Sequence, residues 1–469
     1  MKATKRTVPK VIRMVVAAAM LLSVTALLLD NSGTMLHGAA WIPKVQLLPA
    51  LLAGNFVMAG AVILMCLLVG RIYCSVICPL GIAQDVFTWI GTTAKKMFHI
   101  GSRHRFSYHK ELRWLRYVVL LAFVVLMLTG MNGLALLIAP YSTYGRIIRG
   151  IVSGGTIMWV AVVSATVIFV SALLGGRLWC NTICPVGTLL GTLSRHSVTG
   201  IGIDGEKCVS CRKCEHACKA MCIDIDKKRV DTSRCVDCFD CLDQCPTGAI
   251  AFGRRHKSPK EVEPDGSRRR FIATSAALSA TMAMQAQEQK FDGGLAVLTA
   301  KSIPQRANPL KPFGAQSLKN FSSRCTGCQL CVSQCPEHVL QPSTDLANFM
   351  QPQLSYSQGY CRTACNRCSQ VCPTGAIQPV SKEEKTAISI GFAVTLHDNC
   401  VSAKGIDCGA CARHCPSQAI TMVDDATTGR RLPAVDESMC IGCGACEYYC
   451  PARPMTAIYV EGRRVHTER

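Results

Sequence analysis

Six runs of four cysteines constrain the fold of this chain more than any other feature. The runs hold 24 of the 30 cysteines in its 469 residues. In each run, three thiols are followed by a fourth that lies four residues further along the chain. Three such thiolates wrap three corners of a [4Fe–4S] cube, whereas structural zinc sites do not need this spacing. The sequence therefore predicts six [4Fe–4S] clusters, with iron bound through these cysteines.

The first two runs have the spacing of a two-cluster bacterial ferredoxin. They comprise Cys208, Cys211, Cys214 and Cys218, followed by Cys235, Cys238, Cys241 and Cys245. In such domains the fourth cysteine of each run ligates the cluster of the other run. We expect Cys245 to complete the first cluster and Cys218 to complete the second. Lys219 stands where a proline often follows, and the nearby Cys222 is an alternative ligand.

Four further runs predict a larger ferredoxin domain in the C-terminal part of the chain. Their cysteines are Cys325, Cys328, Cys331 and Cys335; Cys361, Cys365, Cys368 and Cys372; Cys400, Cys408, Cys411 and Cys415; and Cys440, Cys443, Cys446 and Cys450. The first gap is widened in the second and third of these runs. Spacing does not decide whether neighbouring runs pair or whether the first pairs with the fourth.

Four apolar segments precede the ferredoxin runs and predict a four-helix transmembrane unit. They cover approximately residues 14–29, 47–69, 117–139 and 157–176, and a helix needs about 20 apolar residues to cross a bilayer. Lysines and arginines cluster before the first segment and after the second, whereas the opposite loops hold only Lys44, Arg146 and Arg149. The positive-inside rule therefore places both ends of this unit in the cytoplasm. The same distribution explains the net charge of +21 without nucleic-acid binding.

A repeated motif marks the cytoplasmic ends of the second and fourth segments. Gly70–Gly81 and Gly176–Gly187 share the frame G-R-x-[YW]-C-x-x-I-C-P-x-G, which we call the corners. The four corner cysteines are candidate catalytic residues: Cys74, Cys78, Cys180 and Cys184. Binding of a quinol head group, a redox dithiol and metal ligation are all compatible with the motif. Asp85 is either a solvated acid at a helix start or a proton acceptor for quinol.

A twin-arginine-like signal lies between the two ferredoxin regions. Residues 267–272 read Ser-Arg-Arg-Arg-Phe-Ile and precede a small, mildly apolar stretch that extends to Ala286. Twin-arginine signals are addresses for export, and a domain loaded with clusters in the cytosol must cross the membrane already folded. The predicted division is a membrane domain at 1–200, a cytosolic ferredoxin at 201–253, a linker at 254–303 and a periplasmic ferredoxin at 304–469.

Other cofactor motifs are missing from the sequence. It contains no C-x-x-C-H haem site, and no G-x-G-x-x-G follows a strand in a βαβ context. These observations favour a protein that relays electrons over one that reduces a terminal substrate. The fold class is therefore multi-domain, with a helical membrane unit and α+β ferredoxin domains.

The two halves resemble two known ferredoxin-type families. Residues 1 to about 255 resemble the NapH-type membrane subunit, and residues from about 265 resemble the NapG-type periplasmic ferredoxin, as if the two were fused. MauN and MauM of methylamine utilisation and NosR-like proteins are similar. The resemblance implies a quinol dehydrogenase of the bacterial inner membrane, with quinol as substrate, that serves periplasmic nitrate reductase.

The same resemblance implies partners and an alternative function. The implied partners are the lipid and quinol pool, the twin-arginine translocase, and a periplasmic c-type cytochrome or molybdenum reductase as electron acceptor. The alternative is a maturation or redox-maintenance factor for a periplasmic metalloenzyme.

Overall fold

The fold was analysed in a computed structural model of the 469-residue chain. The structure describes residues 8–30, 36–97, 106–109, 112–129, 132–153, 155–254, 291–292, 296–297, 301–302, 305–345, 348–425 and 429–469. All thirty cysteines lie within these ranges. The twin-arginine-like sequence at 267–272 and its apolar stretch lie outside the described residues.

The N-terminal region is helical. Its helices, in chain order, are α1 (Val8–Leu29), α2 (Leu36–Ala39), α3 (Leu47–Leu52), α4 (Phe56–Val69), α5 (Tyr73–Val76), α6 (Pro79–Met97), α7 (Arg113–Leu128), α8 (Asn132–Ala135), α9 (Pro140–Ser153), α10 (Gly155–Gly175), α11 (Leu178–Thr182) and α12 (Pro185–Ser194). Among the described residues, two stretches are long and apolar enough to cross a membrane, Val8–Leu29 and Met158–Gly175, and Phe56–Val69 is a shorter apolar helix.

Two of the four expected membrane segments are not single helices. The segment at 47–69 is divided into α3 and α4, because Gly54 takes a positive φ of 71° and the Asn55 side chain caps α4 by accepting from the Met58 amide. The segment at 117–139 ends as a helix at Leu128, and the short α8 follows. Asn132 at the start of α8 donates from Nδ2 to the Ser322 carbonyl at 2.6 Å. The continuous spans predicted over these residues are therefore wrong in length.

The first ferredoxin region is built on short antiparallel pairs. Strand β1 (Thr199–Ile203) pairs with β4 (Ile250–Arg254), and between them β2 (Ile223–Asp224) pairs with β3 (Arg229–Val230). Helix α13 (Lys213–Ala217) carries Cys214. A compact core of cysteines and apolar side chains fills the space between these elements.

The second ferredoxin region repeats this architecture on a larger scale. Its helices are α14 (Leu318–Arg324), α15 (Leu330–Ser333), α16 (Arg367–Val371), α17 (Lys382–Ala387), α18 (Ala410–Arg413) and α19 (Ala445–Tyr449). Two short strands, β5 (Phe291–Asp292) and β6 (Ala296–Val297), precede this region, and its own strands are β7 (Leu340–Pro342), β8 (Pro352–Leu354), β9 (Ile388–Thr395), β10 (Ile420–Asp424), β11 (Arg431–Val435) and β12 (Ile458–Glu468). The pairs are β5–β6, β7–β8, β10–β11 and β9–β12, all antiparallel.

The two ferredoxin regions contact opposite ends of α1. Near its N-terminus, Lys10 forms ion pairs with Asp240 at 2.9 Å and Asp243 at 2.8 Å. Just beyond its C-terminus, the Gln334 side chain donates to the Asp30 carbonyl at 2.5 Å. A helix of 22 residues is about 33 Å long. The helical region therefore separates the two ferredoxin regions along α1.

Candidate electron-transfer sites

The first two runs of the C-terminal region exchange their fourth cysteines. One cavity is lined by Cys325, Cys328 and Cys331 of one run together with Cys372 of the next. A second cavity is lined by Cys361, Cys365 and Cys368 together with Cys335. Neighbouring runs are thus the partners, which spacing had left undecided.

The last two runs show the same exchange. Cys440, Cys443 and Cys446 line a cavity with Cys415, the fourth cysteine of the preceding run. Reciprocally, Cys411 lies within electrostatic reach of Cys400 of its own run and of Cys450. Helix α18 carries Cys411, and Cys408 precedes that helix by two residues. The C-terminal region therefore consists of two modules, each made from two consecutive runs.

The first ferredoxin region brings its cysteines together in the expected crossed arrangement. Cys235, Cys238 and Cys241 line a cavity with Cys218, and Cys214 lies within electrostatic reach of Cys211 and Cys245. The same cavity includes Cys222, whose sulfur is 3.5 Å from that of Cys218. Both Cys218 and Cys222 are therefore positioned as the fourth donor of this site.

These cavities fit a polynuclear cluster better than a single ion. Each of the four cavities is lined by four or five thiols. Among the described residues, no three His, Cys, Asp or Glu side chains come close enough together to hold one metal ion. The thiols instead surround a space, and four thiolates are the donor set of [4Fe–4S] clusters.

Two buried lysines accompany the thiols of the C-terminal region, and no periodic pattern in the sequence marks either of them. Lys385 on α17 donates to Cys361 Sγ at 3.2 Å and to the carbonyl of Arg362 at 2.6 Å. Lys311 packs over the ring of Phe321, 4.9 Å from its centroid. Burial lowers the pKa of Lys311 to about 8. Their positive charges lie where clusters of thiolates need compensation.

The two corners contact each other through a reciprocal exchange of arginines. Arg71 of the first corner donates from Nη2 to the Cys180 carbonyl at 3.3 Å. Arg177 of the second corner donates from Nη1 to the Cys74 carbonyl at 2.7 Å. Both arginines are buried, with 0% and 1% exposure. Their guanidinium groups therefore hold the two corners together.

The four corner cysteines lie in this same contact. They are 3 to 4% exposed and all four are free thiols: Cys74, Cys78, Cys180 and Cys184. Cys184 caps α12, because its sulfur accepts from the Gly187 amide at 3.3 Å. Glycine is required at Gly81 and Gly187, since an added Cβ would lie 2.2 Å from the carbonyl oxygens of Cys74 and Cys180, respectively.

Asp85 is a buried ion-pair partner rather than a solvated acid. It accepts from Arg177 Nε at 3.0 Å and pairs with Arg13 of α1 at 3.2 Å. Burial would raise the pKa of Asp85, but Arg177, Lys219 and Arg13 together lower it below its ordinary value. A carboxylate held by cations in this way is a poor proton acceptor, so the alternative role toward quinol also loses support.

The ion pairs continue into the first ferredoxin region. Lys219 lies 4.0 Å from Asp85 and 3.1 Å from Asp240, which also pairs with Lys10 of α1. Burial lowers the pKa of Lys219, but Asp85 and Asp240 raise it above the usual value overall. The network therefore fixes this ferredoxin region to the corners and to α1.

The family models matched by the chain cover both kinds of site. The model of a 4Fe-4S dicluster domain matches residues 324–376 and 404–453, in agreement with the two-module arrangement. Models of 4Fe-4S binding domains match residues 51–97 and 157–204, which contain the corners, and residues 235–249.

Several ferredoxin-type relatives are similar to this chain. The methylamine utilization ferredoxin-type protein MauM of Methylophilus methylotrophus is 36% identical over 157 residues, which are 32% of this chain and 69% of the relative. MauM of Methylobacillus flagellatus is 33% identical over 157 residues, 66% of its length. The ferredoxin-type protein NapG of Escherichia coli is 31% identical over 200 residues, 39% of this chain and 80% of NapG.

The cysteine-lined cavities and the matched models define an iron–sulfur protein of the ferredoxin type, a class that transfers electrons. Within that class, the chain belongs to the NapG/MauM-like family of ferredoxin-type proteins. The resemblance to this family noted from the cysteine runs and their spacing is confirmed.

Proposed function

We propose that this protein is a membrane-bound relay that passes electrons from quinol in the bilayer to a redox partner in the periplasm. In this proposal the N-terminal region is a four-helix unit of NapH type in the inner membrane. The first ferredoxin region is cytoplasmic, and the second is periplasmic after export by the twin-arginine translocase. The acceptor is a c-type cytochrome or a molybdenum reductase, with periplasmic nitrate reductase as the favoured system.

The observation that carries this proposal is the position of the two ferredoxin regions at opposite ends of α1. Lys10 binds one region and the Asp30 carbonyl binds the other, at the two ends of a helix about 33 Å long. The hydrocarbon core of a bilayer is about 30 Å thick. A helix of this length and composition would keep the two regions on different sides of a membrane.

Close contacts join each ferredoxin region to the helices. Arg71 of the first corner donates to the Ser233 carbonyl, two residues before Cys235, at 2.7 Å. At the other end, Ser142 of α9 donates to the Thr326 carbonyl, between Cys325 and Cys328, at 2.6 Å. These contacts bring the loops that carry the cysteines against the helical unit near both ends of α1, and this supports the proposal of electron transfer into and out of it.

The 24 cysteines of the six runs are the proposed ligands. Each cluster would take three cysteines of one run and the fourth cysteine of its partner run. Four of these groups line the cavities described above. The other two groups are Cys208, Cys211 and Cys214 with Cys245, and Cys400, Cys408 and Cys411 with Cys450. When bound, the clusters accept and donate single electrons. The residues hold them and, through Lys385 and Lys311, compensate their charge.

Quinol oxidation is proposed to take place near the corners. It releases two electrons and two protons. The electrons leave one at a time through the clusters, and the protons pass to water at the cytoplasmic face, where the corners lie in this proposal. The test is to add a reduced quinol analogue to the purified holoprotein in lipid and to follow cluster reduction by absorbance and electron paramagnetic resonance. Reduction by the analogue supports the proposal. Clusters that respond to dithionite but never to quinol would exclude quinol as the donor.

Sidedness needs a separate experiment on intact cells. Protease or a membrane-impermeant reagent should reach a tag placed after Arg469, whereas a tag inserted beside Gly205, in the first ferredoxin region, should be protected. A protected C-terminal tag would contradict the transmembrane relay.

A strain that lacks the gene for this protein distinguishes the relay from the alternative role in maturation. A periplasmic reductase that is cofactor-poor and inactive in this strain would favour maturation. A reductase that is loaded with cofactor but has no quinol-driven turnover would favour the relay.

A further inference from the structure

We propose that the four corner cysteines hold a seventh iron–sulfur cluster, shared between the two halves of the helical unit. The six runs leave Cys74, Cys78, Cys180 and Cys184 unused. Each matched half, 51–97 or 157–204, supplies only two of these thiols, so neither half alone has four ligands from its corner. The site itself stands on the corner geometry, and only its place in the relay rests on the proposed function.

The first argument is the burial of four thiols around one contact. Each is 3 to 4% exposed, and all six pairs among them are close enough to interact electrostatically. The reciprocal bonds from Arg71 to the Cys180 carbonyl and from Arg177 to the Cys74 carbonyl fix the relative position of the corners. The two halves therefore present a preformed set of four sulfur donors.

The second argument is the charge of Arg71. Its guanidinium is fully buried and donates to the Ser233 carbonyl, Asn181 Oδ1 and the Cys180 carbonyl. Among the described residues no carboxylate pairs with Arg71, and its Nε has no hydrogen-bond partner. An uncompensated buried charge costs several kcal/mol. An anion beside Arg71 would remove this cost.

A cluster bound by four thiolates supplies such an anion. Four thiolates carry four negative charges, and an oxidised cluster core returns about two positive ones, so the bound group is a dianion. Arg71 lies 3.9 Å from Cys74 Sγ through Nη2. Arg177 and Arg13 share Asp85, whereas Lys219 lies closer to Asp240 than to Asp85, so positive charge also exceeds negative charge at the second corner.

The helices after the corners contribute further stabilisation. Cys78 and Cys184 immediately precede α6 and α12, which begin at Pro79 and Pro185. Thiolates at helix N-termini are stabilised by the exposed amides and the helix dipole. The Gly187 amide donates to Cys184 Sγ in this way.

Two other states of the thiols fit the structure less well. Two disulfides would be neutral and would leave the charge of Arg71 uncompensated. A single zinc ion needs donors that converge tightly, and no such group occurs among the described residues. The cysteines of the six runs likewise do not converge tightly enough to hold a single ion. A polynuclear cluster therefore agrees with both the charge and the spacing.

The position of the site suits electron transfer to the first ferredoxin region. Asn181 of the second corner donates to the Ala220 carbonyl at 3.3 Å, two residues after Cys218. Arg71 reaches the Ser233 carbonyl, two residues before Cys235. The corner site is thus adjacent to the cavity of Cys218, Cys235, Cys238 and Cys241.

The test uses the full chain purified without oxygen in lipid, with iron, acid-labile sulfide and zinc measured per polypeptide and paramagnetic signals recorded at graded potentials. We expect more iron and sulfide than six cubes contain. The variant C74S/C78S/C180S/C184S should lose one cluster's share of iron and one signal. The control is Cys66→Ser, a buried thiol that donates to the Leu190 carbonyl and should keep the wild-type iron content.

Equal iron in the wild type and the fourfold variant, or zinc in place of iron at the corners, would overturn the proposal. If the fourfold variant does not fold, two other measurements test the corner cluster: the iron content of the wild type and the spectrum of the single variant Cys180→Ser. Replacing one ligand should shift one paramagnetic signal and leave the others unchanged. Iron content is measured without quinol. Extra iron without quinol reduction would therefore refute the relay alone, and quinol reduction without extra iron would refute the corner cluster alone.

Discussion

Lys385 Nζ donates a hydrogen bond to Cys361 Sγ at 3.2 Å, inside a cavity lined by four cysteines. A donor to a ligand sulfur stabilises the reduced, more negative state of a cluster. The Lys385→Met variant should therefore lower the reduction potential of this cluster by about 50 to 100 mV. A charged hydrogen bond contributes about 1.5–3 kcal/mol, and only part of that energy differs between the oxidised and reduced cluster. Redox titration of the variant measures the shift.

The matched control for that change is on the same helix. Lys382 opens α17 and is exposed, so Lys382→Met should leave every potential unchanged. Equal potentials in the Lys385 variant and the wild type would show that the contact has no electronic effect.

The exchange of fourth cysteines predicts which cluster each substitution removes. Cys372→Ser should disrupt the site of Cys325, Cys328 and Cys331, although Cys372 belongs to the next run. Cys335→Ser should disrupt the site of the next run instead. Paramagnetic spectra of the two variants should therefore lose different signals. If each variant lost the cluster of its own run, the crossed pairing would be refuted.

Asp85 is the centre of the ion pairs that fix the first ferredoxin region. Asp85→Asn leaves Arg177 and Arg13 without a carboxylate partner. The variant should destabilise the folded protein by about 3–5 kcal/mol, because the arginine charges stay buried without a counter-charge. Thermal unfolding and trypsin cleavage near Asp204 report the loss. Asp226→Asn is the control, since its pair with Arg212 is largely exposed and should contribute less than about 1 kcal/mol.

The close approach at Gly81 predicts that a single methyl group distorts the first corner and disturbs its contact with Arg177. In Gly81→Ala, the added Cβ would meet the Cys74 carbonyl oxygen at 2.2 Å and Arg177 Nη1 at 3.1 Å. We expect a loss of about 1–3 kcal/mol or more in thermal unfolding, and faster alkylation of the corner thiols. Gly60→Ala provides the control, since nothing lies within 4 Å of its Cβ position. Equal alkylation rates in the two variants would contradict the tight contact.

His466 on β12 predicts an acid-sensitive C-terminal strand. Burial lowers its pKa to about 4 from an ordinary value of about 6.5, so the unfolded strand binds a proton more readily. The stability of the strand should be greatest above about pH 6.5 and should fall by roughly 3 kcal/mol at most as the pH falls toward about 4. Hydrogen exchange of residues 458–468 between pH 7 and pH 4 measures this loss.

The His466→Gln variant should remove that pH dependence, because glutamine does not titrate in this range. His397→Gln should retain it, since His397 lies outside β12. Identical exchange profiles in wild type and His466→Gln would assign the acid sensitivity to other groups.

Local sequence determined the chemistry of this protein. The positions of the cysteines specify how many thiols can wrap a cluster, because a short loop brings nearby thiols together whatever surrounds it. The spacing typical of two-cluster bacterial ferredoxins also predicted the crossed pairing of Cys218 with the run of Cys235, and the structure agrees. The repeat of the corner motif likewise identifies one set of four cysteines: Cys74, Cys78, Cys180 and Cys184.

Tertiary structure decided what depends on residues that are distant in the chain. Periodicity does not show that Arg71 turns to the Cys180 carbonyl, that Asp85 joins Arg13 to Arg177, or that Lys385 donates to Cys361. Hydropathy also overestimated the helix at 47–69, because the positive φ of Gly54 is a backbone property. Sequence spacing determines local ligand geometry, whereas the pairing of the four C-terminal runs, the partners of buried charges and the contact between corners arise only when distant segments pack together.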